Sequence, residues 1–120
     1  MSAKIQRTGA RAMQGDHAQA TAEAEALARQ GDLNPGHLYD LACAFSLASA
    51  AVDRDRKLSS ADRARLQARH VARAMDFLGQ AIAAGWRSPQ LLERDSDMDP
   101  LRAREDFRKL LAELEANTKE

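Results

Sequence analysis

Three aspartates at alternate positions, Asp95, Asp97 and Asp99, have the spacing of the first oxygen ligands in a calcium-binding loop. An EF-hand loop also requires glycine at its sixth position and a bidentate glutamate at its twelfth. Counted from Asp95, those two positions hold Pro100 and Asp106. Proline cannot adopt the positive φ that glycine supplies, and aspartate is shorter than glutamate. The pattern therefore argues against calcium and favours a helix that begins at Pro100 with Asp99 as its cap.

The single cysteine and the three histidines do not form a recognisable metal site. Cys43 lies between alanines in a predicted helix, which favours a small buried residue over a reactive thiol. His17, His37 and His70 fall on three different predicted elements, with no paired spacing and no second cysteine. We expect His17 and His37 to lie at the surface, near helix starts. No nucleophile, base and orienting group stand together, so we predict no catalytic residue, no metal, no cofactor and no enzymatic activity.

Three arginines recur every four residues, at Arg65, Arg69 and Arg73. Such a stripe could contact the phosphates of a nucleic acid. The chain has 18 basic and 18 acidic residues, few aromatics, and Asp62 and Asp76 near the stripe. A solvated helix face is therefore favoured, and nucleic-acid binding remains the weaker alternative.

The composition predicts one all-α domain in the cytoplasm. A chain of 120 residues suits a single domain, and valine, isoleucine and threonine occupy only seven positions. One cysteine excludes an internal disulfide framework, and residues 1–10 have no apolar core of a secretory signal. No apolar run approaches the roughly 20 residues that span a bilayer, so we expect no membrane partner.

Prolines and glycines predict where the helices begin and end. Asn34, Ser88 and Asp99 each precede a proline, as caps precede a helix-opening residue, and Asp16 and Ser60 are further candidate starts. The predicted helices lie near residues 3–13, 16–30, 35–51, 60–84, 89–94 and 100–116, with a charged loop at 52–60.

Glycines mark two of the predicted helix ends. Gly31 and Gly85 follow helical segments and suit the left-handed conformation that ends a helix, so Trp86 should fold back on the last turn. Apolar spacing predicts one buried stripe on the fourth helix and one on the last. The stripe residues are Val71, Ala74, Met75, Leu78 and Ile82, and Phe107, Leu110, Leu111 and Leu114.

Two segments resemble a tetratricopeptide repeat: LYDLACAF, residues 38–45, and AMDFLGQAIAAGW, residues 74–86. In that family, small residues of one helix admit large residues of its antiparallel partner. The matching positions are Leu38, Leu41, Ala42 and Phe45, then Ala74, Leu78 and Ala81. The resemblance implies an antiparallel array of about five to six helices. Its parts are a half repeat at 15–31, a full repeat at 35–86 with an enlarged inter-helix loop, and a C-terminal cap at 89–116.

The same segments, with GDHAQA and DMDPLRAREDFRKLLAEL, look similar to the C-terminal repeat regions of large bacterial serine/threonine protein kinases. No kinase phosphate loop or catalytic loop is present, so no kinase activity is implied. The resemblance implies a non-catalytic scaffold or adaptor that binds a protein or peptide, as a piece of a larger signalling protein. The alternative is a structural role, as the end of a longer solenoid or as a homo-oligomer.

The resemblance also places a binding surface on one face of the third predicted helix. If Leu41 and Phe45 face the paired helix, the opposite side turns toward the concave surface used by that family. The predicted protein-binding or peptide-binding residues are Tyr39, Asp40, Cys43, Ser46 and Leu47.

Overall fold

The computed structural model describes residues 17–31 and 33–118, and within these ranges it contains helices and no strand. The all-α prediction is therefore confirmed, whereas the predicted helix at 3–13 and the start at Asp16 lie outside the described residues. The helices are α1 (His17–Arg29), α2 (Pro35–Asp53), α3 (Ser60–Ala83), α4 (Pro89–Arg94), a 3₁₀ helix (Ser96–Leu101) and α5 (Glu105–Thr118). None of the helices in these ranges is both long enough and apolar enough to cross a membrane.

Side-chain caps fix the starts of the two longest helices. The Oδ1 atom of Asn34 accepts a hydrogen bond from the backbone N–H of His37 at 2.8 Å, and α2 begins at Pro35, directly after Asn34. The Ser59 hydroxyl accepts from the N–H of Asp62 at 3.1 Å. Each cap satisfies one N–H group that the first helical turn leaves without a partner. The predicted starts of α2, α3 and α4 are confirmed, although Ser88 makes no side-chain capping bond.

The predicted helix start at Pro100 is wrong. Pro100 lies inside the 3₁₀ helix, and α5 begins only at Glu105. The cap of this turn is Asp95, whose side chain accepts from the N–H of Asp97 at 3.0 Å. Met98 and Leu101 are both fully buried, and residues three apart lie on the same side of a 3₁₀ helix. We attribute the tighter winding to the burial of these two apolar side chains.

Glycines end α1 and α3 as predicted. Gly31 has φ of 73° and Gly85 has φ of 116°. After α3, the N–H of Gly85 donates to the carbonyl of Ile82 at 3.1 Å, and that of Trp86 donates to the carbonyl of Ala81 at 2.9 Å. These bonds satisfy carbonyls at the helix end and turn Trp86 back onto the protein, where it is buried.

The helices α2 and α3 run antiparallel, as two contacts near their opposite ends show. Tyr39 near the start of α2 stacks on Trp86, just beyond the end of α3. Near the end of α2, the carbonyl of Ser49 accepts from the side-chain amide of Gln67, in the first half of α3, at 3.3 Å. Between these points the two helices bury most of the core.

Helix α1 packs closely because its buried residues are small. Ala20 and Ala24 are fully buried, and Leu27 is the large apolar residue that joins the core. An ion pair adds to this packing, since Glu25 accepts two hydrogen bonds from the Arg73 guanidinium of α3, at 2.5 and 2.9 Å. Helix α1 is thus held by apolar packing and by a bidentate ion pair between Glu25 and Arg73.

The C-terminal segments join the same core. Met98 and Leu101 from the 3₁₀ helix, Leu92 from α4, and Phe107 and Leu114 from α5 are all buried with residues of α2 and α3. The predicted stripes are confirmed in outline: Val71, Ala74, Leu78, Phe107 and Leu114 are buried, and Met75, Ile82, Leu110 and Leu111 are half-buried. The 3₁₀ helix therefore covers one side of α2, and α5 packs against α4.

Candidate functional site

A pocket of about 460 Å³ lies where the start of α2 meets the end of α3, α4 and the 3₁₀ helix. We call it the acidic pocket. The lining residues used below are Tyr39, Asp40 and Cys43 from α2, Trp86 and Leu91 from the segment after α3, and Asp95 and Asp97 beside the 3₁₀ helix.

An aromatic pair forms one wall of the acidic pocket. The rings of Tyr39 and Trp86 are nearly parallel, with centroids 4.3 Å apart, and both residues are buried. The Tyr39 hydroxyl donates to Oδ2 of Asp95 at 2.7 Å. Burial, followed by the neighbouring Cys43 and Asp95 groups, raises the pKa of Tyr39, so the phenol stays protonated at neutral pH.

Two further contacts fasten the 3₁₀ segment to α2. The Ser46 hydroxyl donates to the carbonyl of Asp97 at 2.6 Å, one turn of helix beyond Cys43. The Cys43 sulfur lies 3.8 Å from Oδ2 of Asp95. Together with the Tyr39 bond, these contacts place Asp95 and Asp97 beside Asp40 at the pocket.

The carboxylates of the acidic pocket lack cationic partners. Asp40, Asp95 and Asp97 form no ion pair with any residue in the part of the chain that the structure describes, and no lysine or arginine lines the pocket. Burial raises the pKa of Asp40; the nearby His37 opposes this, and the negative charges of Asp95 and Asp97 each add a smaller upward effect. Burial and Asp95 likewise raise the pKa of Asp97. The pocket therefore carries negative charge that the described residues leave uncompensated.

The acidic pocket also contains a group of atoms that a metal could approach. One sulfur of Cys43 and one carboxylate oxygen each of Asp95 and Asp97 lie within 4.8 Å of one another. The donor chemistry fits a metal poorly, because burial and then the two carboxylates raise the pKa of the thiol, whereas a metal requires the thiolate. Asp95 is also committed to hydrogen bonds with Tyr39 and the backbone. The predicted absence of a metal site stays a prediction.

The structure brings three of the five predicted binding residues to this pocket. Tyr39, Asp40 and Cys43 line it, although Tyr39 and Cys43 are buried. Ser46 is fully buried under the 3₁₀ segment, and Leu47 packs instead against buried alanines of α1 and α2. The five residues therefore do not form one open surface, because the 3₁₀ segment covers the side of α2 that the repeat pattern would leave free.

The remaining pocket residues were missed as members of this site. The sequence raises Asp95 and Asp97 only as possible metal ligands, and it favours Trp86 as the seal of a helix end over stacking on a ligand. Asp95 lies 56 positions from its hydrogen-bond partner Tyr39. Local periodicity carries no signal for a contact over that separation, and the acidic spacing was the only available clue.

The other candidate residues do not form a second chemical site of the predicted kinds. The surface placement of His17 is wrong, because it is buried with Nε2 2.8 Å from Oδ2 of Asp55, in the loop that follows α2. Among the arginines of the stripe, Arg65 pairs with Asp62 at 2.8 Å, and Arg73 is held by α1. The stripe is therefore not a row of free cations.

Comparison of the chain with protein-family models, with curated proteins and with solved structures found no match.

Proposed function

We propose that this chain is a non-catalytic interaction module whose acidic pocket receives a basic side chain from a protein or peptide partner. The observation that carries the proposal is the group of carboxylates at Asp40, Asp95 and Asp97, which has an aromatic wall and no cationic partner among the described residues. A lysine or arginine that enters the pocket supplies the missing charge and forms charge-assisted hydrogen bonds.

The raised pKa values of Asp40 and Asp97 support a cationic ligand. Each group is half-buried near other negative charges, so its ionised form is less favourable than in water. An opposite charge within a few ångströms reverses this effect. Binding should therefore lower both pKa values and should release protons at a pH near those values.

An apolar residue beside the pocket suggests what flanks the basic side chain. Leu91 is 47 % exposed, as the most exposed large apolar residue in the described ranges. Trp86 also lines the pocket. Because lysine and arginine carry apolar stems beneath their charged heads, these two residues can contact the stem and a neighbouring apolar side chain.

The order of the helices supports a tetratricopeptide-like arrangement as part of the proposal. Helix α1 packs on α2, and α2 packs antiparallel on α3, as half a repeat followed by a full repeat would. The small residues Ala42 and Ala74 are both fully buried in the core, where that family places its small positions. The connection of residues 54–59 is longer than the tight turn of the family. In this scheme the chain is an adaptor, and its residues after α3 shape the binding pocket.

The proposal is tested with three short peptides that have blocked ends and differ at one position. One carries lysine beside leucine, the second replaces lysine by arginine, and the third replaces it by acetyl-lysine. Trp86 is the only tryptophan, so its fluorescence reports binding at the pocket wall. We expect the charged peptides to bind and the acetylated one to bind at least tenfold more weakly, with affinity falling as salt is raised.

Matched variants locate the binding site. Asp40→Asn and Asp97→Asn remove charge from the pocket, and neither carboxylate caps a helix or forms an ion pair with a described residue, although Asp97 interacts with the Cys43 thiol. Asp53→Asn removes the same charge from the exposed far end of α2. We expect the first two to raise Kd about fivefold each and the third to leave it unchanged. Equal binding of the acetylated peptide, or equal loss in all three variants, would refute the pocket. If the protein self-associates without peptide, as shown by its oligomeric mass measured on the same sample, the homo-oligomer alternative would be favoured instead.

A further inference from the structure

A second cavity, of about 260 Å³, opens between α1 and α3. Its lining is mostly apolar, from alanines of α1, Phe45 of α2 and Leu66 of α3. Five polar side chains complete it: His17, Thr21 and Glu25 from α1, and Arg69 and His70 from α3. We call it the α1–α3 cavity. It is separate in lining residues from the acidic pocket and is independent of the proposed function.

Three of the polar groups in the α1–α3 cavity already have partners and two do not. Glu25 accepts hydrogen bonds from Arg73, His17 is paired with Asp55, and the Thr21 hydroxyl donates to the carbonyl of His17. Arg69 is exposed and forms no ion pair within the described part of the chain.

His70 is the unusual member of the lining. Its side chain is 6 % exposed, and its Nδ1 atom has no hydrogen-bond partner among the described residues. A buried polar atom without a partner is uncommon in folded proteins and marks a place where a bound group can supply one.

The electrostatic surroundings of His70 indicate the sign of charge that the cavity favours. Burial, then the positive charges of His17 and Arg69, lower the pKa of His70 to about 4, and only Glu25 acts weakly in the other direction. The imidazole is therefore neutral at pH 7, and Arg69 beside it is the unpaired cation that an anionic ligand would meet in this cavity.

We propose that the α1–α3 cavity binds a small organic carboxylate with an aromatic or aliphatic body. The carboxylate pairs with Arg69 at the mouth, and the apolar body lies against Phe45 and Leu66. A dry cavity of about 150 Å³ suffices for benzene, so 260 Å³ leaves room for a ring with a carboxylate arm. His70 contributes a neutral ring that can hydrogen-bond the ligand.

The test uses phenylacetate as the probe and phenylacetamide as its neutral counterpart. Amide chemical shifts of the full chain are recorded by NMR during titration with each compound. The protein should bind phenylacetate, a ligand of this size, with Kd on the order of 1 mM. The chemical-shift changes should concentrate on α1 and on α3 near Leu66 and His70. Phenylacetamide should bind at least fivefold more weakly.

Three variants separate the proposed site from general charge effects. Arg69→Gln removes the unpaired cation of the cavity, and Arg65→Gln removes an exposed cation, paired with Asp62, from the preceding turn of the same helix. Ala22→Leu fills the cavity from an exposed position on α1. We expect at least fivefold weaker binding in the first, no change in the second, and loss of binding in the third with the fold retained.

Four results would overturn the proposal. They are no shift changes up to about 20 mM probe, equal binding of phenylacetamide, unchanged affinity in Arg69→Gln, and unchanged affinity in Ala22→Leu.

Discussion

The hydrogen bond from Tyr39 to Asp95 is the contact whose removal tests the architecture of the acidic pocket most directly. Tyr39→Phe deletes only the hydroxyl and keeps the ring that stacks on Trp86. The variant therefore removes one attachment of the 3₁₀ segment to α2 without creating a large cavity.

The size of the expected effect follows from the surroundings of Asp95. Hydrogen bonds to charged groups contribute about 1.5–3 kcal/mol. Asp95 is only partly buried and keeps its bond to the N–H of Asp97, so water can replace the phenol. We expect the low end, a loss of about 1.5 kcal/mol in the free energy of unfolding and roughly 6 °C in Tm.

The pH dependence of the free energy of unfolding is a second expected effect of the Tyr39 hydroxyl, and its sign is defined. The pKa of Tyr39 is raised in the folded protein above its ordinary value of 10.0, so the phenol stabilises the fold fully below pH 10 and this contribution is lost as pH rises further. The slope is about 1.4 kcal/mol per pH unit for one proton. The phenylalanine variant lacks the Tyr39 part of this slope. The Cys43 thiol remains in both proteins, but the variant also loses the Tyr39 hydroxyl, which lowers the pKa of that thiol in the parent.

Urea unfolding followed by far-UV circular dichroism, at several pH values, measures both effects. Tyr39 is the only tyrosine, so ultraviolet absorbance of the phenolate reports its ionisation directly. Near-UV circular dichroism of Trp86 checks that the ring stack remains. Equal stability of the two proteins at pH 7, or phenolate formation near pH 10 in the folded protein, would refute the buried hydrogen bond.

Three further perturbations have defined outcomes. Gly85→Ala should destabilise the protein by about 1–2 kcal/mol because of the positive φ at this position, whereas Gly79→Ala, inside α3 with open space at the added Cβ, should stabilise it by about 0.5–1 kcal/mol. Thermal unfolding compares the two variants, and a change in stability of the same sign in both would contradict the argument. His70→Phe should abolish the part of the stability loss that occurs as pH falls from about 6.5 to about 4, where the unfolded imidazole takes a proton and the buried one does not; matching acid titrations of variant and parent would argue against its burial. Glu25→Gln should cost up to about 1 kcal/mol, and the difference should shrink in high salt, because the pair with Arg73 is about one-third exposed; a salt-independent loss would indicate a packing effect instead.

Local patterns predicted most of the helical elements correctly. Asn34 with Pro35, and Ser59 ahead of α3, satisfy free N–H groups through contacts three residues along the chain, so their effect is visible in the sequence. Gly31 and Gly85 act through their own backbone conformation. Each of these signals depends on neighbours within one helical turn, which is why a single sequence contains them.

The error at Pro100 shows where local rules stop. Asp99 and Pro100 satisfy the pattern of a helix start, but the segment winds as a 3₁₀ helix and α5 begins later. Its conformation depends on the burial of Met98 and Leu101 against helices that are distant in sequence. Tertiary packing therefore overrode a local preference of about 1 kcal/mol.

The sequence alone determined that this protein is helical and where most helices begin, because composition, caps and glycines act over a few residues. Only the tertiary structure decided which polar groups meet. Tyr39 contacts Asp95 across 56 positions, and His17 contacts Asp55 across 38. The α2 face that periodicity left open is covered, and the uncompensated charge of the acidic pocket arises from that covering. Such encounters depend on how whole helices pack, and residue spacing within one helix carries no information about them.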